Sequence, residues 1–97
     1  MIEPREPGPR TMTRITLVTS PGCHFCADAH RVLTTLAEAG MIELGTLDAE
    51  SPDGERLVSA HRPALFPLVL LDGHFFSAGR LPRRKLAHTL GVDRAAV

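Results

Sequence analysis

Residues 16–33, "TLVTSPGCHFCADAHRVL", decide how the rest of the chain is read, because they hold both of its cysteines. Only His24 and Phe25 separate Cys23 from Cys26. The stretch also joins two periodicities. "RITLVT", at 14–19, is rich in β-branched side chains and has the pattern of a buried strand. Beyond "SPG", the apolar residues Phe25, Ala29, Val32, Leu33 and Leu36 step by threes and fours, forming one stripe of an amphipathic helix over about 23–39. The cysteine pair is therefore predicted at a strand-to-helix turn, with Cys26 about one helical turn beyond Cys23.

The same reading extends in both directions. Gly40 suits a left-handed helix cap, and "MIELGTLD" reads as a second strand, with Gly45 its weak point. Ser51 as N-cap and Pro52 at the first helical position open a short second helix. Leu68 to Leu71 is apolar on both faces, as a central strand requires. Asp72-Gly73 is a strong hairpin signal, so "HFFSA" should return antiparallel to it. Pro82 opens a last helix that closes at Gly91. The order strand, helix, strand, helix, strand, strand, helix gives an α/β fold: one mixed four-stranded sheet with helices on its faces. Residues 1–12 combine prolines with charges and are expected to form a disordered tail ahead of a single domain at 13–97.

Composition bounds the function. The 97 residues carry eleven basic and eleven acidic side chains, a balance that argues against nucleic acid or an anionic membrane as partner. No apolar run approaches the roughly 18 residues of a membrane helix, and the first ten residues lack the apolar centre of a secretory signal. The expected location is the cytoplasm, where thiols stay reduced and a close cysteine pair is more often catalytic or metal-binding than structural.

At the start of a helix, unpaired amides and the dipole favour negative charge, so Cys23 is a candidate nucleophilic thiolate. Cys26 is placed to resolve the mixed disulfide that Cys23 would form. His24, when protonated, would add positive charge beside the thiolates, and Phe25 would pack locally or line the approach of a partner. The alternatives are a non-catalytic metal or iron–sulfur module, and an adaptor with little or no turnover. Two thiolates make half a tetrahedral zinc site; His24 and His30 are the nearest further donors, and no second CxxC completes the set, although a metal or cluster shared by two chains needs only one pair from each. Haem attachment would need His where Ala27 stands.

A CxxC between a strand and a helix, in a chain of this order, resembles the thioredoxin superfamily and, within it, the glutaredoxins, over residues 13 to about 91. The resemblance implies a thioredoxin-like, glutaredoxin-type three-layer sandwich. It further implies that Pro67, in "LFPLVLLDG", is a cis-proline facing the cysteines, and that the backbone of Phe66 pairs with a bound disulfide substrate. The chain is most similar to a bacterial glutaredoxin-like subgroup with a "CHLC"-type motif, written "CHFC" here, and a later "GR" segment, Gly79-Arg80, placed with Phe25, Phe66 and Pro67 on the substrate side. Two departures weigh against glutathione as reductant. Ser20 stands where many glutaredoxins have lysine, and "AGRLPRR" replaces an acidic "GGCDD"-like cap.

His30, His61, His74 and His88 are expected on the solvated surface, and Asp28 is expected to serve the helix dipole. Arg80, Arg83, Arg84 and Lys85 form a basic cluster that suits an anionic thiol or an acidic partner, or simply a solvated face. The expectation is a monomeric thiol–disulfide oxidoreductase with Cys23, Cys26 and His24 as its catalytic residues and no bound cofactor or metal. Its substrates would be disulfide-containing proteins or small thiols, and a low-molecular-weight thiol or another redox protein would reduce it.

Overall fold

The computed structural model describes residues 12–97. The expected tail falls outside them, apart from an exposed Met12. The elements follow in the anticipated order: β1 (Thr13–Thr19), α1 (His24–Glu38), β2 (Ile42–Asp48), α2 (Pro52–His61), β3 (Leu68–Leu71), β4 (His74–Ala78) and α3 (Arg83–Leu90). A single 3-10 turn, Arg94–Ala96, follows. It had no signal in the sequence, since its cap, Asp93 accepting from the Ala95 amide, is a local turn device without apolar periodicity.

The strands lie side by side as β2-β1-β3-β4. β1 runs parallel to β2, from Thr13 opposite Ile42 to Thr19 opposite Asp48, and antiparallel to β3. The turn between β3 and β4 is the two-residue loop Asp72-Gly73, with both φ values positive (50° and 85°), the primed geometry that matches strand twist. Asp72 also pins the turn to β1, its carboxylate accepting from the Arg14 amide at 2.9 Å. β4 carries a bulge: Ser77 pairs with Val69 and Phe75 with Leu70, leaving Phe76 as the extra residue.

Strand alternation divides the apolar side chains between two faces. Ile15, Leu17, Ile42 and Val69 pack with Ala29, Val32, Leu33 and Leu36 of α1 and Leu86 of α3. Val18, Leu68 and Leu70 face the other way, against Leu57 and Val58 of α2. The central strands β1 and β3 are thus apolar on both sides because both sides are covered.

The helix ends follow the chemistry of their residues. Ser51 caps α2, its Oγ accepting from the Gly54 amide at 3.0 Å. Gly91 ends α3 in the left-handed region, with φ 71°. Pro82 is the N-cap of α3 rather than its first helical residue, and it supplies no side-chain hydrogen bond. Among the described residues no helix is long and apolar enough to cross a membrane.

Candidate active site

Cys23 is the N-cap of α1, with extended backbone at φ −102° and ψ 109°. That conformation ends the strand and begins the helix, and it turns the sulfur back over the first helical turn. Cys23 Sγ accepts a hydrogen bond from the Cys26 amide at 3.1 Å, the bond a capping oxygen would otherwise accept. The first turn of α1 carries no acidic residue. Negative charge on Cys23 would meet amide donors and the positive end of the helix, with no carboxylate in that turn opposing it.

The two cysteines are joined as a disulfide, with Cα atoms 5.1 Å apart. They are not equivalent. Cys26 is 4% exposed, its side chain on the core side of α1, whereas Cys23 is only half-buried. A substrate arriving from solvent meets Cys23 first.

The Phe66–Pro67 bond is cis, as the resemblance implied. Pro67 is fully buried at the entry to β3, and its carbonyl accepts from the Gly79 amide at 3.0 Å. This ties the proline loop to the end of β4. Ala64, Leu65 and Phe66 form one wall of a cavity of about 480 Å³ whose other wall is Gly22, Cys23 and His24. Leu65 is 59% exposed at its rim. Phe66 lies just ahead of β3 and makes no backbone hydrogen bond among the described residues, so its amide and carbonyl have no strand partner there.

On the far side of Phe25 the surface is cationic. Arg80 lies over the Phe25 ring, 5.4 Å from its centre, and Phe25 is 40% exposed. Gly79, with φ 103°, allows the chain to turn there, and a Cβ on it would come within 3.3 Å of Leu65. Gly79 therefore acts on the backbone path between the two loops, while Arg80 supplies the side chain.

Asp28 corrects its expected role. It lies beyond the first turn of α1, and its carboxylate accepts from Arg83 of α3 and from Arg31, both at 2.6 Å. The Arg83 hydrogen bond, with further help from its charge and from Arg31, holds the carboxyl below its ordinary value despite partial desolvation. Asp28 is thus a clamp between α1 and α3. Tertiary packing decides this: Arg83 lies 55 residues away in sequence.

Asp28→Asn is expected to lower stability near neutral pH by up to about 1 kcal/mol, since exposed pairs are screened. The folded-state pKa is depressed, so the contribution is present above the unfolded value of 3.8 and is lost as pH falls through the lower folded value. Urea unfolding of both proteins across the acid range checks this, and parallel curves would refute the clamp.

His30 and His74 are exposed, whereas His61 is half-buried and tilted against Phe75, with ring centres 6.4 Å apart. His30 shares a cavity of about 370 Å³ with Cys23, Cys26 and Thr46, on the side of the disulfide away from the proline loop. Among the described residues no group of three or more His, Cys, Asp or Glu side chains gathers as a metal site. Cys23 and Cys26 by themselves would supply two ligands.

No family model matches this sequence, and no curated protein does. Among solved structures it is similar to an uncharacterized thioredoxin-like protein from Clostridium perfringens, with 14% identity and a TM-score of 0.64. The match covers 82% of this chain and 69% of that one. At that identity the likeness is one of fold. The chain has the thioredoxin-like α/β fold, with a CxxC-spaced cysteine pair at the start of its first helix.

Proposed function

We propose that this protein is a thiol–disulfide oxidoreductase of glutaredoxin-like type, with Cys23 as nucleophile and Cys26 as resolving thiol. The observation that carries the reading is the asymmetry of the pair: a half-buried N-cap sulfur that accepts an amide hydrogen bond, backed by a buried partner one turn along.

In the reduced protein the Cys23 thiolate attacks one sulfur of a substrate disulfide. A mixed disulfide forms, and the other substrate sulfur leaves as a thiolate and takes up a proton. Cys26, as thiolate, then attacks Cys23 Sγ and releases the second substrate thiol. Two electrons pass to the substrate and the Cys23–Cys26 disulfide remains. A low-molecular-weight thiol or a redox protein, working as reductant in the cytoplasm, returns the pair to dithiol. The backbone of Phe66 aligns the substrate across the cavity, Pro67 holds that loop in place, and His24 adds positive charge beside the nucleophile when protonated. The protein acts as a monomer without a bound cofactor.

The test is alkylation of the reduced protein as a function of pH, followed at each cysteine by mass spectrometry. Cys23 is expected to react with an apparent pKa below the ~8.5 of an ordinary thiol, and Cys26 to remain slow throughout. Equal reactivity at both, near the ordinary value, would remove the basis for the assignment.

A further inference from the structure

Apart from His24 at its edge, the cationic groove beside Phe25 plays no part in the exchange steps above, and the fold accounts for only part of its charge. It encloses about 1100 Å³ between the start of α1 and α3, from His24 next to the disulfide to His88 on α3. Phe25, Leu81 and Pro82 give it an apolar lining. Around them stand Arg80, Arg83, Arg84 and Lys85 against the single carboxylate of Asp28. In a chain with formal net charge zero, this is a local surplus of three positive charges, four cations less one acid.

Helix stability predicts the opposite arrangement. Cations at a helix N-terminus oppose the dipole, and α3 has no acidic residue in its first turn and no side-chain cap. Asp28 offsets Arg83, and Lys85 lies over the Phe76 ring and donates to the Phe76 carbonyl at 3.4 Å. Arg80 lies over the Phe25 ring, 5.4 Å from its centre. Arg84 is exposed and in no ion pair among the described residues.

We propose that this groove docks an acidic peptide segment with an apolar anchor, lying beside the target disulfide of a partner protein. The inference rests on the exchange reading above and names its substrate class. Charge complementarity sets the sign of the occupant, and the apolar lining calls for a side chain among its acids. Extent favours a peptide over a small thiol: the groove runs from His24 beside the disulfide to His88 on α3. Its cations run from Arg80 through Arg83, Arg84 and Lys85 in the first turn of α3, and His88 lies one turn past Arg84 on the same helical face. A small anion would engage one end only. Complementary charge of this kind acts chiefly on encounter rate and weakens with salt.

The experiment mixes the reduced full chain with each of two synthetic peptides. Both contain the same intramolecular disulfide and one leucine; one is flanked by Asp and Glu, the other by Ser and Gln. The readout is the second-order rate constant for formation of the Cys23–Cys26 disulfide. At low ionic strength the acidic peptide is expected to react about tenfold faster or more, with the advantage fading toward unity in high salt. Arg84→Gln should reduce that ratio and Arg84→Glu should bring it to one or below, with circular dichroism confirming an intact fold.

Equal rates for both peptides, or a ratio unmoved by Arg84→Glu, would overturn the groove assignment alone. Inhibition by inorganic phosphate as strong as that by a cysteine-free acidic peptide would overturn it in favour of a small anion. If neither peptide nor a small neutral disulfide oxidises the protein, the exchange reading itself fails and this inference with it.

Discussion

Cys23→Ser is expected to slow disulfide reduction by about 10³-fold or more while leaving the fold intact. A serine hydroxyl in this position stays protonated at neutral pH and is a poor nucleophile toward sulfur. Serine is also among the best N-cap residues, so its oxygen can take over the Cys26 amide hydrogen bond that the sulfur now accepts at 3.1 Å. Loss of the cap therefore cannot explain a loss of activity. The disulfide itself closes a loop of very few residues, where the stabilisation gained from a cross-link is smallest.

The companion substitution separates the two roles. Cys26→Ser keeps the half-buried nucleophile and removes the buried resolving thiol, so it should accumulate a mixed disulfide between Cys23 and substrate. Intact-mass measurement would show protein plus one substrate thiol, released by added reductant. The reverse pattern, an active Cys23→Ser protein and a dead Cys26→Ser one, would exchange the assignments.

Gly54→Ala should destabilise the protein by about 2–4 kcal/mol, against the direction that helix propensity alone predicts. In an exposed helix, alanine is favoured over glycine by about 1 kcal/mol. Gly54 instead lies buried in the first turn of α2, and a Cβ there would overlap the Asp48 backbone carbonyl oxygen and crowd the Ala49 Cα. That carbonyl cannot easily move aside. It accepts from the Ser51 amide at 3.0 Å and from the Ser51 hydroxyl at 2.6 Å, and Ser51 Oγ in turn caps Gly54. Relief would break the turn that joins β2 to α2. The urea midpoint of the variant decides the matter, and an increase over the parent would show that the close approach is not rigid.

Much of the architecture was legible because its signals are local. The period of α1, the two-residue Asp72-Gly73 turn and the Ser51-Pro52 helix start each depend on residues close together in sequence. Each was found where its chemistry put it. The strand-to-helix position of the cysteine pair follows from the same local patterns. The 3-10 turn at Arg94–Ala96 and the bulge at Phe76 were not legible, because a single capped turn and an extra strand residue leave no periodic trace. Gly54 gave no warning either: neither propensity nor periodicity announces that the β2–α2 turn folds back and sets the Asp48 carbonyl at contact distance.

The order of the elements, the placement of both cysteines at one helix start, and the apolar stripes that make a sheet covered on both faces all follow from short-range patterns. These depend on propensity, capping and periodicity, which act over a few residues. Packing between distant segments is what buries Cys26 while leaving Cys23 half-buried, lets Asp28 clamp Arg83, and sets Arg80 over Phe25 beside a cationic groove. Burial and charge pairing are set by what packs against a residue from distant parts of the chain, and that partner is chosen only when the sheet and helices close on one another.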